Sequence, residues 1–375
     1  MMNNILITGG AGFIGSHLSL KLVDKGYKVR VLDNLSEQIH GTNKNIPVAL
    51  QGKVDFILGD VRNKEDIRRA MKNQDAIIHL AAETGTGQSM YEITKYTDVN
   101  VNGTANILEI LTNEDHSIQK IVVASSRAIY GEGKYECETH GVVYPSERND
   151  SDMEKGEYEP KCTICGSVLS LLSTDEDSKI HPSSIYGITK QNQEQMVLNI
   201  GKAIGVPAVA FRYQNVYGPG QSLSNPYTGI LSIFSTRIKN GNDLNIFEDG
   251  KESRDFVFID DIVDATILGL ESSTANYNIY NVGSGKPTTV LEVANTLINA
   301  YNSNSKITVS GNYRIGDIRH NYADLSKIKK DLSFHPKYSF EDGIKLFVSW
   351  VNSQEIKEDL YEKSINEMKE KSLYK

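Results

Sequence analysis

The sequence lacks long apolar stretches. None approaches the ~20 residues that a membrane-spanning helix needs, so we expect no membrane partner. Residues 1–4 carry no basic stretch and no cleavage site ahead of the first apolar segment, which predicts that the protein has no signal peptide and is cytoplasmic. Lysine and arginine are spread along a chain whose formal net charge is −8, so we expect no nucleic-acid partner.

Cysteine is also scarce: the sequence has three cysteines, and all of them lie in one short region. An odd number of cysteines in a chain for which we expect no signal peptide argues against a disulfide framework. Cys137 and His140 form C-x₂-H, and Cys162 and Cys165 form C-x₂-C after 21 intervening residues. Three thiolates and one imidazole at this spacing suit tetrahedral Zn²⁺ and leave no open coordination position. We therefore expect a structural zinc ion, with two unrelated free thiols beside a surface histidine, or a redox C-x-x-C, as the alternatives.

Short apolar runs alternate with helix-like segments over the first 130 residues. This order predicts an α/β fold, a Rossmann-type doubly wound parallel sheet with helices on both faces. The predicted strands are 5–7, 29–32, 54–58, 76–80, 121–123 and 208–211, and the predicted helices are 13–24, 102–111 and 184–202.

The segment Thr8–Gly15 (T-G-G-A-G-F-I-G) lies between the first strand and the first helix and contains G-x-x-G-x-x-G. Glycines let the backbone approach a pyrophosphate, which the helix N-terminus then binds. Asp33 ends the second strand, where a carboxylate accepts hydrogen bonds from ribose hydroxyls and repels a 2′-phosphate. The pattern predicts NAD rather than NADP. A tight packing turn followed by a surface aspartate is the alternative.

Residues at the carboxyl ends of the other strands are expected to flank the cofactor, because ligands of doubly wound sheets bind in that crevice. The predicted cofactor-binding residues are Gly9, Gly12, Phe13, Ile14, Gly15, Asp33, Asn34, Asp60, Val61, Leu80, Ala81, Ala82, Asn100, Ser125, Tyr186 and Lys190.

The chain divides into a large and a small domain. We assign residues 1–213 to an NAD-binding Rossmann domain that is interrupted by a polar insertion at 132–183. Residues 214–350 are predicted to form mainly a smaller α/β substrate-binding domain, with part returning to the large domain. Residues 351–375 are highly charged and predict a solvated helix or a partly disordered tail.

Tyr186 and Lys190 stand at i and i+4, on one face of a predicted helix. A free phenol has a pKa of about 10, and a nearby ammonium lowers it by stabilising the phenolate. Ser125 and Ser126 follow the fifth strand, so that a hydroxyl points into the same crevice. A surface tyrosine–lysine pair is the alternative interpretation.

In combination these motifs resemble the extended short-chain dehydrogenase/reductase family over about residues 3–350. The matching segments are Thr8–Gly15, His79–Ala82, Ser125–Gly131 (S-S-R-A-I-Y-G), Tyr186–Lys190, Arg212–Pro219 and Arg254–Phe256.

The resemblance implies residue roles and an assembly. Ser126, Tyr186 and Lys190 are then catalytic. A nucleotide-diphosphate sugar is the implied substrate, and Asn215 and two arginines are the implied diphosphate ligands. Family members commonly form homodimers through two long helices, here near 102–111 and 186–202. The expected substrate-binding residues are Thr84, Ser126, Asn215, Asn225, Arg254, Arg314 and Asp317.

One departure from the family pattern narrows the reaction. The 4,6-dehydratases of the family carry Asp-Glu after the hydroxyl residue of this loop, whereas Arg127 and Ala128 follow Ser126 here. The glutamate of related decarboxylases is absent too. The resemblance therefore favours an NAD-dependent nucleotide-sugar 4-epimerase that acts through a transient 4-keto sugar, and elimination lacks its acid–base pair.

Within the family, the inserted cysteine pairs and the segments Glu83–Met90 and Ser224–Gly229 resemble the dTDP-L-rhamnose 4-epimerase group, and a UDP-glucose 4-epimerase-like enzyme is the neighbouring possibility. The alternatives are a nucleotide-sugar oxidoreductase or 4,6-dehydratase of the same family, a non-catalytic NAD or nucleotide-sugar sensor, and a redox or metal switch worked through the insertion.

Overall fold

The computed structural model describes residues 2–42, 44–227 and 229–375, so Thr228 of the Ser224–Gly229 segment lies outside the described residues. The strands in chain order are β1 (Asn4–Thr8), β2 (Lys28–Asp33), β3 (Asp55–Leu58), β4 (Ala76–His79), β5 (Lys120–Ser126), β6 (Tyr135–Cys137), β7 (Gly141–Val143), β8 (Ser170–Leu171), β9 (Ala208–Tyr213), β10 (Asn215–Tyr217), β11 (Leu244–Ile246), β12 (Ser253–Phe258), β13 (Asn278–Val282), β14 (Pro287–Thr289), β15 (Ile307–Val309) and β16 (His320–Asn321). The helices are α1 (Phe13–Asp24), α2 (Glu37–His40), α3 (Lys64–Met71), α4 (Thr86–Ser89), α5 (Ile93–Tyr96), α6 (Gly103–Asn113), α7 (Asp150–Met153), α8 (Ile185–Ala203), α9 (Ile230–Lys239), α10 (Ile259–Glu271), α11 (Val290–Tyr301), α12 (Ser326–Leu332), α13 (Phe340–Asn352) and α14 (Tyr361–Glu370).

A parallel sheet of seven strands in the order β13-β9-β5-β4-β1-β2-β3 forms the centre of the fold. Every residue of β4 and β5 is buried, as expected for strands that are covered on both faces. The strand order reverses between β1 and β4, and ligands of doubly wound sheets bind at such a point. The predicted Rossmann-type α/β fold is confirmed.

Helices cover both faces of this sheet. Helices α1 and α10 pack together on one side, whereas α3, α6 and α8 pack side by side on the other. Two apolar clusters, one on each side of the sheet, form the core. Among the described residues, no helix combines the length and apolarity that crossing a bilayer requires.

The apolar side chains that we singled out for a dimer interface pack mostly inside the chain. Ile107, Leu108 and Leu111 of α6 and Val197 of α8 are almost completely buried in the second apolar cluster. Met196 and Ile200 are partly buried against the same cluster. The core of a single chain accounts for the burial of these residues, and they leave little apolar surface exposed for a dimer interface.

The smaller part of the structure contains β10, β12, β14 and β16 in one sheet and β11 paired with β15 in another. Helices α9, α11 and α13 pack around these strands. Although it follows residue 213, β13 forms the edge of the main sheet beside β9. The division into residues 1–213 and 214–350 stays our proposal.

The insertion at 132–183 has little regular structure of its own. Strands β6, β7 and β8 form a small antiparallel sheet, with a core of Tyr135, Cys137, Cys162 and Leu169. The end of the insertion is tied to the smaller part by a bridge between Thr174 and Ala323.

The C-terminal residues include a helix, which was one of the two predicted alternatives, but one face of that helix is packed rather than solvated. Helix α14 buries Tyr361, Ile365 and Met368 against Phe247 and neighbouring apolar side chains. These three positions are spaced i, i+4 and i+7, which places them on one face of a helix. The charged residues occupy the opposite face, so the segment is amphipathic and its apolar side packs on the smaller part.

Candidate active site

A cavity of about 920 Å³ opens at the carboxyl ends of the main-sheet strands and extends into the smaller part. It contains residues from both ends of the predicted site, from the glycine loop to the arginines. The predicted residues that line it are Gly9, Gly12, Phe13, Ile14, Gly15, Asp33, Asn34, Asp60, Val61, Leu80, Ala81, Ala82, Thr84, Ser125, Ser126, Tyr186, Lys190, Asn215, Arg254, Arg314 and Asp317.

At Gly9 and Gly15 the glycine loop is packed against other backbone atoms too closely for a side chain. Gly9 has φ +69°, and a Cβ there would lie 2.7 Å from the backbone nitrogen of Ala81. A Cβ at Gly15 would lie 2.3 Å from the carbonyl oxygen of Gly9. At Gly12, by contrast, the nearest atom would be 3.3 Å away. The loop therefore lies directly on the start of α1, and its exposed backbone faces the cavity, which fits a bound pyrophosphate.

Asp33 is held in place by the backbone. One carboxylate oxygen accepts a hydrogen bond from the amide nitrogen of Ala11 at 3.0 Å, and the other accepts one from Leu35 at 2.9 Å. Each oxygen keeps capacity for a further donor. The carboxylate thus lies beside the glycine loop with acceptor sites available to a ribose.

Asp60 lies farther along the same crevice. Its carboxylate accepts hydrogen bonds from the Asn34 side chain at 2.9 Å and from the Arg62 guanidinium at 2.7 Å. Burial on its own would raise the pKa of Asp60, but the contacts with Arg62 and Asn34 outweigh it and lower that pKa to about 2. The carboxylate is therefore ionised at neutral pH.

Asn100 and Asn225 do not line the cavity, unlike the other predicted ligand-binding residues. The Asn100 amide is fully buried, bonds the backbone of Glu83 in both directions at 2.8 and 3.1 Å, and donates to Thr189 at 2.9 Å. Asn225 accepts a hydrogen bond from the Tyr227 amide nitrogen at 3.0 Å. In each case the amide supports the neighbouring loop, and the ligand contacts predicted for these two residues stay predictions.

Tyr186 and Lys190 lie on the first two turns of α8. The Ser184 hydroxyl caps this helix by accepting a hydrogen bond from the Gly187 nitrogen at 3.1 Å, and Ser89 accepts one from the Tyr186 nitrogen at 3.0 Å. These two contacts set the position of the helix start. They connect the tyrosine to the loop around Ser89, on the substrate side of the sheet.

The pKa of the Tyr186 phenol is raised by burial. A hydrogen bond with Ser126 and the positive charge of Arg127 oppose that rise. We expected the Lys190 ammonium to lower the pKa, but burial lowers the pKa of Lys190 itself to about 7, and its ammonium donates to Gln193 at 2.8 Å. Among the charges of the described residues, that of Arg127 opposes the rise in the pKa of the phenol, and the expected effect of Lys190 on it stays a prediction.

Arg254, Arg314 and Asp317 form an arginine–aspartate cluster at the other end of the cavity. Asp317 lies 3.3 Å from Arg254 and 2.7 Å from Arg314. Burial would raise the pKa of Asp317, but Arg314 and Arg254 hold that pKa well below its usual range. The cluster keeps two guanidinium groups side by side, which is suitable for binding phosphate oxygens.

Several cavity residues were not identified from the sequence as candidate ligand-binding residues. Arg127, Tyr227, Phe247 and Tyr361 all line the cavity. Arg127 directly follows Ser126, so its place beside a predicted catalytic residue could have marked it as a candidate from the sequence. Tyr361 comes from α14, and only the i, i+4, i+7 apolar spacing of that helix marks it as a packed residue.

Cys137, His140, Cys162 and Cys165 meet within the insertion, and their ligand atoms all lie within 4.8 Å of one another. Cys137 Sγ is 3.5 Å from His140 Nδ1 and 3.6 Å from Cys165 Sγ, and Cys162 Sγ is 3.6 Å from His140 Nδ1. Zn–S bonds of about 2.3 Å and Zn–N bonds of about 2.0 Å in a tetrahedron imply edges of about 3.5–3.8 Å. The observed separations therefore fit a zinc ion.

The family model for the NAD dependent epimerase/dehydratase family matches residues 5–149 and 162–283. The chain belongs to this family, which confirms both the resemblance found in the sequence and the expectation of an NAD-dependent epimerase.

Individual relatives match nearly the whole chain. It is 38% identical to a dTDP-L-rhamnose 4-epimerase of Burkholderia thailandensis, over 92% of this chain and 94% of that protein. Its fold is similar to the Thermotoga maritima UDP-glucose 4-epimerase solved with UDP-glucose (TM-score 0.76, 30% identity, 93% and 98% covered). It is also similar to the Thermus thermophilus UDP-glucose 4-epimerase solved with NAD (TM-score 0.71, 27% identity, 94% and 100% covered).

The position of Asp33 predicts the preferred cofactor. A 2′-phosphate beside this carboxylate would bring like charges together, so we expect calorimetry to show NAD binding more tightly than NADP by at least tenfold, or about 1.4 kcal/mol. Asp33→Asn should reduce the difference in affinity between NAD and NADP. The control Asp55→Asn, at an exposed carboxylate on β3 outside the cavity, should leave it unchanged. Equal affinities of the unmodified protein for the two cofactors would contradict the assignment.

Proposed function

We propose that this chain is an NAD-dependent nucleotide-sugar 4-epimerase that acts through a transient 4-keto sugar. The observation that carries the proposal is the single cavity in which Ser126, Tyr186 and Lys190 lie between the glycine loop and the arginine–aspartate cluster. A cofactor at the loop and a diphosphate at the cluster would leave the sugar beside the tyrosine.

Each residue of the proposed site has a separate role in the reaction. The glycine loop and Asp33 would hold NAD⁺, which when bound supplies a reversible hydride acceptor. Tyr186 takes the proton from the sugar O4 hydroxyl as a general base and later returns it as a general acid. Ser126 donates a hydrogen bond to the developing keto oxygen, and Lys190 contacts the cofactor ribose. No net oxidation results, because the proton and the hydride both return to the sugar.

The surroundings of Tyr186 do not favour elimination chemistry. Arg127 and Ala128 follow Ser126, so this loop offers no carboxylate to abstract or donate a proton at a sugar carbon. Epimerisation needs no such group, since its only proton transfer is at O4. This is the reason to prefer a 4-epimerase over a 4,6-dehydratase. Retention of NADH on the protein during turnover would distinguish a 4-epimerase from a net oxidoreductase.

For the substrate we propose dTDP-L-rhamnose, with UDP-glucose as the second candidate. The 38% identity to the Burkholderia thailandensis enzyme supports the first, and the fold similarity to UDP-glucose 4-epimerases supports the second. Incubation with each nucleotide sugar, read by NMR of the anomeric protons, tests both. New anomeric signals from neither sugar would reject both candidates.

Replacing Tyr186 tests the assigned base. Tyr186→Phe removes the hydroxyl and keeps the ring, and we expect the rate to fall by about 10²–10⁴-fold while NAD still binds. The control is Tyr277→Phe, at a tyrosine that is 44% exposed and outside the cavity, which should keep full activity. Unchanged turnover of the Tyr186 variant would reject the proton-transfer role.

We also propose that the cysteine–histidine cluster holds one structural zinc ion. The tetrahedral separations support this, and so does the composition of the insertion, which buries only a small core. Four ligands leave no position open for a substrate, so the metal would cross-link the segment. Zinc requires three reduced thiols, which fits the cytoplasmic location that we propose.

Elemental analysis of the purified protein should find about one zinc ion per chain. Cys165→Ser should lose the metal, whereas Glu138→Ala, at an exposed residue between the first two ligands, should retain it. Chelation should loosen the insertion and weaken substrate binding, because Arg148 of the insertion donates a hydrogen bond to the carbonyl oxygen of Asp317, which lines the cavity, and NAD should stay bound. An ordered, protease-resistant insertion in zinc-free protein would contradict the structural role.

We propose that the protein is a homodimer that associates along α6 and α8. Ile188 on α8 is 42% exposed, and Ile93 on the adjoining α5 is 49% exposed, so apolar surface is available beside these helices. Light scattering at micromolar concentration should give twice the mass of one chain. A stable monomer under those conditions would contradict the proposal.

A further inference from the structure

Arg127 begins a short 3₁₀ turn immediately after Ser126 and lines the cavity. Its Nε donates a hydrogen bond to the side-chain oxygen of Asn215 at 3.2 Å. Within residues 2–42, 44–227 and 229–375, no group accepts a hydrogen bond from its two terminal amino groups. These amino groups are therefore available to a ligand in the cavity.

The other arginines of the cavity differ from Arg127 in their charge partners. Arg254 and Arg314 both pair with Asp317. In the part of the chain that the structure describes, no carboxylate lies within 4.0 Å of the Arg127 guanidinium. A guanidinium that is largely removed from water is costly unless an anion pairs with it. Within the part of the chain that the structure describes, Arg127 is thus the one of these three arginines without a carboxylate in direct contact, and the charges of Asp317 and Glu132 act on it from farther away.

Burial has a visible effect on this group. Burial and, next, the nearby charge of Arg254 lower the pKa of Arg127 to about 10, while the charges of Asp317 and Glu132 oppose that fall. The side chain still carries its charge at neutral pH. An anionic ligand that entered the cavity would relieve both unfavourable contributions.

We propose that Arg127 binds an anionic oxygen of the substrate beside the reacting hydroxyl. The inference rests on the proposed function for its substrate class, a nucleotide-diphosphate sugar. Two sources share this chemistry: the phosphate nearest the sugar, or a carboxylate carried by the sugar ring. The position supports either, because Arg127 lies between Ser126 at the reacting end and Asn215, which the resemblance assigns to the diphosphate.

Arg127 also orients Asn215. Because a guanidinium only donates hydrogen bonds, the oxygen of the Asn215 amide must face it. The amide nitrogen of Asn215 then points away from Arg127 as a donor. Arginine and asparagine together offer several N–H groups on one side of the cavity, which suits an oxygen-rich anionic group.

Two substitutions separate charge from geometry. Arg127→Met removes the charge and keeps the length of the chain, and Arg127→Lys keeps the charge and loses the planar fork. Arg68→Met is the matched control, since Arg68 lies outside the cavity in an exposed ion pair with Glu114. Calorimetric affinity for NAD should be the same in all of them, which verifies that each variant is folded.

The ligands are UDP and dTDP, UDP-glucose, and UDP-glucuronic acid, each added to NAD-loaded protein. We expect Arg127→Met to weaken the binding of at least one of these ligands by about 10- to 100-fold, and Arg127→Lys to weaken it by a smaller factor. A loss for UDP and dTDP identifies the phosphate as the anion. A loss confined to UDP-glucuronic acid identifies the sugar carboxylate.

Unchanged affinity of Arg127→Met for all four ligands, when the unmodified protein binds at least one of them, would overturn the role of Arg127 and leave the proposed function intact. Failure of the unmodified protein to bind any of them would reject the proposed function together with this inference. The two failures are therefore distinguishable.

Discussion

The fully buried guanidinium of Arg319 joins the insertion to the substrate side of the cavity. It donates to Glu159 of the insertion at 2.6 Å and to Glu248, after β11, at 2.8 Å. Removing one partner of a buried ion pair typically costs about 3–5 kcal/mol, so these segments are constrained to fold together. Asp317 stands two residues before Arg319, and the same contacts therefore set the position of the carboxylate in the arginine–aspartate cluster.

The parts of this fold that were predicted correctly depend on local sequence. The glycine loop needs small residues wherever backbone atoms approach, and Gly9 and Gly15 show contacts that any Cβ would violate. Tyr186 and Lys190 could be related because helical spacing places i and i+4 on one face. Such features require no knowledge of distant segments, and the strand–helix alternation of the large domain is of the same kind.

Features that depend on contacts between distant segments were missed. Asn100 is predicted at the cofactor from its sequence position, but the hydrogen bonds of its amide with the Glu83 backbone could not be predicted, because only the folded chain brings the two together. Helix α14 looked solvated because its charges outnumber its apolar residues, but Glu367 accepts hydrogen bonds from Tyr227 at 2.5 Å and Tyr91 at 3.4 Å. These two tyrosines come from separate parts of the chain, so α14 connects both sides of the cavity. The apolar spacing of α14 could be recognised in the sequence, but the residues that the helix contacts could not.

Tyr186 and Lys190 illustrate how burial and charge act together. Burial disfavours a phenolate at Tyr186 and equally disfavours an ammonium at Lys190, since each charged form loses hydration. The two charges are opposite and lie one helical turn apart, so each is less costly when the other is present. Arg127 adds a further positive charge that favours the phenolate. An anionic oxygen of the substrate bound to Arg127 would offset part of that charge, and the Lys190 ammonium would then carry more of the stabilisation of the phenolate.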